Sequence, residues 1–172
     1  MKKWFLIILT LAFIISCSKA EKTTYTDEKN EVSLSGEKKE VKMDKIKKTK
    51  EEWRKKLPPD VCYIMMDKGT ERPFSGKYYN HKEKGIYVCA ACGNELFSSD
   101  AKFESGTGWP SFYEAIEKGR IETKPDYTGG MKRTEVICAR CEGHLGHIFD
   151  DGPPPTGKRF CINSLSLDFK KE

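Results

Sequence analysis

Two Cys-x-x-Cys pairs constrain the fold of this chain more than any other feature of its sequence. The first pair is Cys89 and Cys92 in CAAC, and the second is Cys138 and Cys141 in CARC. A turn of this spacing aims two thiolates at one point, and two such turns complete the tetrahedron that zinc prefers. Because the pairs lie far apart in the sequence, one shared ion would hold two distant segments of a single domain together. The spacing therefore predicts one structural zinc ion per chain.

Two other interpretations of the four paired cysteines stay open at this point. In an exported protein they could form two disulfides. One pair could also be a redox pair of the thioredoxin type. Neither pair has the setting of such a redox motif, at the start of a helix that follows a buried strand, so the metal site is the preferred interpretation. Since all four ligands would be cysteine, we expect no open coordination position for catalysis.

The segments around the cysteines are rich in β-forming residues and are separated by clusters of Gly, Pro, Asp and Asn. Such segments are GIYVC, RTEVIC, GHIFD and RFCINSLSLDF, and they predict a compact, mainly antiparallel β domain. A short helix is expected in TKEEWRKKL, where Thr49 and Glu52 have the spacing of a capping box and a Pro-Pro pair follows. A second helix is expected from Pro110 to about Lys118, with Gly119 as its C-terminal cap.

The first 48 residues differ in composition and are expected to lie outside this domain. Residues 1–17 begin with a charged end, continue in an apolar run and finish in Ser16-Cys17, which resembles a bacterial lipoprotein signal. Cys17 would then carry the lipid that anchors an exported protein to a membrane of the cell envelope, on the periplasmic side. An ordinary signal peptide or an uncleaved anchor is the alternative. Residues 18–48, rich in Lys, Glu, Thr and Ser, predict a flexible tether before a domain at 49–172.

The charge pattern limits the classes of partner. The formal net charge is +5 and comes largely from lysine. Lysine runs such as KIKKTK are interleaved with Glu and Asp, which favours a solvated tether over a nucleic-acid surface, so no nucleic-acid partner is expected. The rival classes of function are a zinc-ribbon module that binds nucleic acid or protein, and a lipoprotein for metal storage or adhesion.

Cys62 and Cys161 are left once the paired cysteines and the lipidation candidate are set aside. Cys161 lies in a strand-like run, where alternate residues share a face, so Cys161 and Asn163 should point the same way. His144 and His147 lie just upstream in a Gly-rich turn. A thiol near two imidazoles and an amide suggests a reactive thiolate, because nearby donors and cations lower the pKa of a cysteine. An inert buried thiol is the alternative.

Trp109 stands in the stretch FESGTGWPSF, between a Gly-bracketed turn and a proline. Such a turn can hold an indole at the surface of a domain. Trp109 is therefore expected either in the core or as one wall of an apolar pocket for a small soft group such as a methyl.

Three long stretches resemble methionine-R-sulfoxide reductases of the B type. They are KGTERPFSGKYYNH, GIYVCAACGNELFSSDAKFESGTGWPSF and RTEVICARCEGHLGHIFDDGPPPTGKRFCINSLSLDF, and the match runs from about Leu57 to Phe169. The resemblance implies two antiparallel sheets in a small barrel-like domain, with zinc on the four paired cysteines. It also implies reduction of methionine-R-sulfoxide in oxidised proteins, with a thioredoxin-like reductant. In an exported protein this would be the repair of oxidative damage.

The resemblance implies a role for each residue of the Cys161 cluster. Cys161 matches the nucleophile that attacks the sulfoxide sulfur and becomes a sulfenic acid. His144, His147 and Asn163 match the polar residues that bind the sulfoxide oxygen and assist its protonation. Trp109 matches the aromatic residue that packs on the S-methyl group of the substrate.

The chain departs from the family at one position. Many members have a cysteine where this chain has Thr107, and that cysteine resolves the sulfenic acid as a disulfide. Cys62 is the one thiol without an assignment, and it would take the resolving role if its loop reaches Cys161. Otherwise an external thiol must attack the sulfenic acid directly.

Overall fold

The structure is a computed structural model that describes residues 40–172. Strands dominate this part of the chain, and its two α-helices are α1 (Lys50–Arg54) and α2 (Pro59–Met65). The strands are β1 (Gly85–Cys89), β2 (Glu95–Ser98), β3 (Lys102–Phe103), β4 (Ser111–Phe112), β5 (Ile121–Asp126), β6 (Arg133–Cys138), β7 (His144–Phe149), β8 (Arg159–Ile162) and β9 (Leu167–Lys171). No helix within residues 40–172 is both long and apolar enough to cross a bilayer.

The strands form two antiparallel sheets, which confirms the predicted fold class. The smaller sheet has the order β2-β1-β9, and the larger sheet has the order β3-β4-β8-β7-β6-β5. The core lies between them, where Phe97 of the smaller sheet stacks on Phe112 of the larger one with ring centroids 4.4 Å apart. Tyr87, Val136 and Ile162 are fully buried around this pair. Close packing of large rings supplies much of the apolar burial that stabilises a domain of this size.

The β-rich segment RFCINSLSLDF is divided between the two sheets. β8 belongs to the larger sheet and β9 to the smaller one, and a 3-10 turn at Ser164–Ser166 joins them. The chain turns at Asn163, whose backbone N–H donates to the Leu145 carbonyl. This crossing places Cys161 and Asn163 at the point where the chain leaves the larger sheet.

The first helix begins where the sequence predicts. The Thr49 hydroxyl accepts from the backbone N–H of Glu52, and the Glu52 carboxylate accepts from the backbone N–H of Thr49, at 3.2 and 2.7 Å. This reciprocal capping box fixes α1, and Trp53 anchors it in the core. α2 was not predicted separately, although Pro59 suits the first turn of a helix.

The helix predicted from Pro110 to Lys118 is wrong. Residues 111 and 112 instead form β4, which pairs with β3 and β8. The Pro110 carbonyl accepts from the backbone N–H of Ile162, and Phe112 is fully buried. A helix here would break the strand pairing and expose the Phe112 ring. These two contributions outweigh the local preference of Pro110 and Gly119 for the ends of a helix.

The last part of the predicted tether lies along the domain. The Val41 N–H donates to the Lys118 carbonyl, and the Ile46 N–H donates to the Arg140 carbonyl. The Lys45 ammonium lies 2.8 Å from the Glu122 carboxylate. The signal with Cys17, and the tether up to residue 39, lie outside the described residues, so those assignments stay predictions.

Candidate active site and candidate metal centre

A small pocket opens beside Cys161 on the larger sheet. Because successive side chains of a strand alternate, Cys161 points away from Phe160 and Ile162, which pack in the core. The pocket has a volume of about 130 Å³ and is lined by Thr70, Trp109, Arg133, Gly146, His147, Phe149, Cys161 and Asn163. Sites for drug-sized ligands are roughly 300–1,000 Å³, so this pocket suits one side chain rather than a large ligand.

The sheet fixes Cys161 from both sides. β8 lies between β4 and β7, and Cys161 stands opposite Ser111 on one neighbour and opposite His147 on the other. The sequence-predicted residues that line the pocket are Cys161, His147, Asn163 and Trp109. His144 and Cys62 do not line it.

Burial and nearby groups act in opposite directions on the Cys161 thiol. Burial raises its pKa above the ordinary value of a cysteine. The Thr107 hydroxyl, 3.9 Å from the sulfur, and the positive charge of Arg159 oppose part of this increase. Arg159 lies two residues away on β8 and is held by Asp151 through two hydrogen bonds of 2.8 and 2.9 Å. The site therefore holds a protected thiol with groups in place to stabilise its ionised form.

His147 belongs to a charged cluster at the end of the β5–β6 hairpin. Its Nε2 lies 2.7 Å from Oδ2 of Asp126, which also accepts from Nη2 of Arg133 at 2.9 Å. The other oxygen of Asp126 accepts from the hydroxyl and the backbone N–H of Thr128. Hydrogen bonds from Thr128, and then from His147, hold the pKa of Asp126 well below its usual range. Asp126 is thus ionised at neutral pH, and its carboxylate orients the imidazole.

His144 lies behind His147, with the two ring centroids 5.4 Å apart. It is buried, and its Nδ1 lies 2.8 Å from Glu135, whose other oxygen accepts from Lys68 at 2.7 Å. Burial lowers the pKa of His144. Burial alone would raise the pKa of Glu135, but hydrogen bonds from Lys68 and His144 lower it overall. A neutral His144 that donates to an ionised Glu135 fits the lowered pKa of both residues. This pair packs behind His147, on the side away from the pocket.

The Nε2 atom of His144 is buried and has no hydrogen-bond partner among residues 40–172. The same holds for Nε of Arg133, which borders the pocket. Buried polar atoms normally have a partner, so Nε of Arg133 leaves an unpaired donor at the border of the pocket.

Glu71 holds two walls of the pocket. Its backbone carbonyl accepts from the indole Nε1 of Trp109 at 3.1 Å, and its backbone N–H donates to Oδ1 of Asn163 at 3.2 Å. Its carboxylate accepts from the backbone N–H groups of Ser164 and Leu165 at 2.6 and 3.1 Å. Burial raises the pKa of Glu71 in spite of these bonds. One residue therefore positions the aromatic wall, the amide and the turn after β8.

Cys62 has a different environment. It is buried on α2, and its sulfur lies 3.8 Å from the Leu57 carbonyl. Burial raises its pKa. The described structure does not bring Cys62 to the Cys161 pocket, and it places Thr107 beside Cys161 instead.

Sequence reasoning missed most of the charged groups around the pocket, namely Glu71, Asp126, Arg133, Glu135, Asp151 and Arg159. One signal was available in RTEVIC, where the charged residues Arg133 and Glu135 stand two positions apart and therefore share one face of a predicted strand. Charged residues at this spacing indicate a polar face opposite the core.

The four paired cysteines form a second cluster. Their sulfur atoms all lie within 4.8 Å of one another. The distances from Cys89 to Cys141 and from Cys92 to Cys138 are both 3.6 Å. A tetrahedron with Zn–S bonds of about 2.3 Å has edges of about 3.8 Å, so the four sulfurs fit around one ion. All four cysteines are free, which excludes disulfides between them in this structure.

The two Cys-x-x-Cys turns have matching backbone geometry. The Gly93 N–H donates to the Cys89 carbonyl, and the Glu142 N–H donates to the Cys138 carbonyl, both at 2.8 Å. Gly93 and Glu142 both adopt a left-handed conformation, with φ of 72° and 61°. Cys89 ends β1 in the smaller sheet and Cys138 ends β6 in the larger one. A metal ion held by both turns would join the two sheets.

A side-chain amide supports this cluster. Asn94 donates from Nδ2 to the Cys138 sulfur at 3.4 Å and to the Arg120 carbonyl at 2.9 Å. Donors of this kind stabilise the thiolate form in which cysteine binds a metal.

Comparison of the sequence with known proteins identifies a family and several similar proteins. The SelR domain family matches residues 57–171, which include both cysteine sites. The peptide methionine sulfoxide reductase MsrB of Methanosarcina barkeri is 61% identical over 127 residues, or 74% of this chain and 89% of that protein. The protein of the same name from Methanosarcina mazei is 60% identical over 129 residues, or 75% and 92%. The one from Leptospira interrogans is 54% identical over 127 residues, or 74% and 97%.

Proposed function

The chain belongs to the SelR family of peptide methionine sulfoxide reductases, and we propose that it reduces the R epimer of methionine sulfoxide in proteins at Cys161. The observation that carries this proposal is the pocket itself. A thiol, an indole, an imidazole and an amide surround a cavity the size of one side chain. These are the groups needed to attack a sulfoxide sulfur, seat its methyl group and bind its oxygen.

The first step converts the thiol of Cys161 to a sulfenic acid. The ionised sulfur attacks the sulfoxide sulfur, and the sulfoxide oxygen takes up a proton so that it can leave. The oxygen ends on the Cys161 sulfur, which loses two electrons, and the methionine sulfur gains two. Methionine leaves, and no other oxidant is required.

The pocket walls supply a physical basis for epimer selection. Trp109 offers an apolar face for the S-methyl group, while His147 and Asn163 offer polar groups for the oxygen. His144 acts through His147 as a positioning residue, since it does not line the pocket. Exchange of the oxygen and the methyl group would place the oxygen on the indole and leave the polar groups unpaired, at a cost of about 1–3 kcal/mol for each buried group.

We propose an external dithiol of the thioredoxin type as the reductant. One thiol attacks the sulfenic sulfur, forming a mixed disulfide and water, and the second thiol releases Cys161 as its own disulfide forms. Thr107 beside Cys161 and the burial of Cys62 on α2 support this route. A disulfide between Cys62 and Cys161 is the alternative, although Cys62 does not line the Cys161 pocket.

We propose that the four-cysteine cluster holds one zinc ion with a structural role. The all-cysteine ligand set and the sulfur spacing support zinc. When bound, the ion supplies a fixed connection between the ends of β1 and β6. It takes no part in the chemistry at Cys161.

We propose that the enzyme repairs exported proteins from a lipid anchor on Cys17. The support is the sequence of residues 1–17, with its charged start, apolar run and Ser16-Cys17. Cys17→Ser should abolish the incorporation of a labelled fatty acid into the protein, while Cys62→Ser should keep it. Absence of the label from the parent protein, or equal labelling of both variants, would contradict the anchor.

The test of the proposed activity is an assay on both epimers of methionine sulfoxide, in free and in protein-bound form, with thioredoxin and a thioredoxin-recycling system. We expect turnover of the R epimer only, and loss of turnover in Cys161→Ser. Cys62→Ser is the matched control, since among residues 40–172 it removes the other thiol that lies outside the four-cysteine cluster. Turnover that survives Cys161→Ser would contradict the role of Cys161, and no turnover of either epimer by the parent protein would favour a zinc-ribbon binding module.

A further inference from the structure

A chain of three hydroxyl groups leads from β4 to Cys161. Oγ of Ser111 lies 2.7 Å from Oγ of Ser105, which lies 2.8 Å from Oγ1 of Thr107. Oγ1 of Thr107 lies 3.9 Å from the Cys161 sulfur. At the far end, the Ser111 hydroxyl lies 3.2 Å from the Trp109 carbonyl, which can accept but not donate.

Ser111, the hydroxyl farthest from Cys161, has a fixed position. Ser111 is fully buried and stands opposite Cys161 in the β4–β8 pairing. The backbone N–H of Thr107 also donates to Oγ of Ser105, at 3.4 Å. The loop between β3 and β4 therefore holds its hydroxyls at defined positions rather than presenting them freely to solvent.

Each hydroxyl has one proton to donate, so the chain has two self-consistent directions. With a neutral thiol, Cys161 donates to Thr107, and the donation continues through Ser105 and Ser111 to the Trp109 carbonyl. With an ionised sulfur, each of the three hydroxyl groups rotates and donates in the opposite direction. Ser111 then donates to Ser105, Ser105 to Thr107, and Thr107 to the sulfur. Both directions keep the Thr107 and Ser105 hydroxyls paired.

We propose that the Thr107 hydroxyl, oriented by Ser105 and Ser111, donates a hydrogen bond to the ionised sulfur of Cys161 and so prepares it for attack. This inference rests on the proposed function, since it deepens the role of the same site. Thr107 touches the reacting atom, whereas Ser105 and Ser111 are positioning residues. A hydroxyl cannot form the disulfide that resolves a sulfenic acid. Thr107 would instead act earlier in the reaction, as a hydrogen-bond donor to the attacking sulfur.

The Thr107 hydroxyl shares the stabilisation of the ionised sulfur with Arg159. On β8, Arg159 favours the ionised sulfur through its charge and a hydrogen bond, while its partner Asp151 disfavours it. From the opposite neighbour, β7, His147 faces Cys161, and it is held by Asp126 together with Arg133. The β4 side offers uncharged hydroxyls. A hydrogen bond to a charged acceptor contributes more than one between neutral groups, so a single hydroxyl matters here.

The experiment measures the pH dependence of iodoacetamide alkylation at Cys161 in the zinc-loaded Cys62→Ser protein, with the modified peptide identified by mass spectrometry. Thr107→Val removes the hydroxyl and keeps the shape, and Thr107→Ser keeps the hydroxyl. We expect Thr107→Val to shift the alkylation profile to higher pH by about one unit and to lower kcat/KM for the R-sulfoxide about tenfold at neutral pH. Thr107→Ser should stay within about twofold of its parent.

Ser105→Ala provides a second test that leaves Thr107 in place. We expect a smaller shift in the same direction, because Thr107 loses the neighbour that orients its proton. Superimposable alkylation profiles for the parent, Thr107→Val and Ser105→Ala would overturn the inference, even if activity fell. A protein that shows the expected alkylation shifts but reduces no methionine sulfoxide would overturn the proposed function and leave the hydroxyl contact intact.

Discussion

The two cysteine regions of this molecule place the same side chain in opposite surroundings. At the metal centre, four sulfurs lie within 4.8 Å of one another, in turns at the ends of strands from both sheets. At the pocket, Cys161 lies within a central strand beside a hydroxyl, a guanidinium and an imidazole. Partners therefore decide whether a cysteine is a fixed ligand or a reactive group.

Cys138→Ser should cause the largest change, because it removes one of the four ligands of the zinc ion that we propose joins the sheets. We expect loss of bound zinc and a fall in the midpoint of thermal unfolding of more than about 10 °C, or failure to fold. Zinc content and thermal melts measure this. Cys161→Ser is the matched control and should keep its zinc and its melting temperature. Full zinc content in Cys138→Ser would contradict the metal centre.

Asp126→Asn should lower activity about 10- to 100-fold, because the amide no longer holds the imidazole of His147 through a charged hydrogen bond. Steady-state kinetics at neutral pH measure the effect, and Asp60→Asn on the exposed start of α2 is the control. Equal kcat/KM in the two variants would contradict a role for Asp126 in positioning His147.

The same residue predicts a pH dependence of stability. The folded state lowers the pKa of Asp126, so its contribution is present above the ordinary aspartate pKa of about 3.9 and is lost as the pH falls through the lower, folded-state pKa. Chemical unfolding between about pH 6 and pH 2 should therefore show a smaller loss of stability in Asp126→Asn than in the parent protein. Parallel curves for the two proteins would contradict the assignment.

Glu71→Gln should have a moderate effect centred on KM. The backbone bonds to Trp109 and Asn163 persist, but the turn at Ser164 loses its carboxylate acceptor. We expect KM for a sulfoxide peptide to rise about three- to tenfold, with a smaller change in kcat. Glu83→Gln, at an exposed site, is the control. A fall in kcat with unchanged KM would argue against a role in shaping the pocket.

Cys62→Ser should have the smallest effect on turnover. We expect thioredoxin-dependent kcat within about twofold of the parent, and a loss of stability of about 1–2 kcal/mol because a polar hydroxyl replaces a buried thiol. A large loss of thioredoxin-dependent turnover, together with a Cys62–Cys161 disulfide in the parent, would show that Cys62 is the resolving cysteine after all.

The sequence predicted correctly those parts of the fold that depend on residues close together in the chain. The capping box at Thr49 and Glu52 marks the start of α1, and the Cys-x-x-Cys spacing predicts the cluster that the structure contains. The β-rich segments predict the sheets. Each of these features depends on residues close together in the chain, so a single sequence reveals them.

The features that were missed depend on pairing between distant segments. Phe112 becomes part of a strand because β8 pairs with it and Phe97 stacks on it, and neither partner is near in sequence. Asp126 meets His147 only through the register of β5, β6 and β7. Periodicity can predict that a charged residue faces away from the core, but not which residue it will meet.

The most direct test of the contrast between the two regions is a single turnover without reductant. One equivalent of an R-sulfoxide peptide is added, then dimedone, which labels sulfenic acids, and the labelled peptides are identified by mass spectrometry. We predict about one label per molecule, on Cys161, with the cysteines of the metal centre unlabelled and zinc retained. Label on a cysteine of the metal centre, or methionine formed with Cys161 unmodified, would contradict the account.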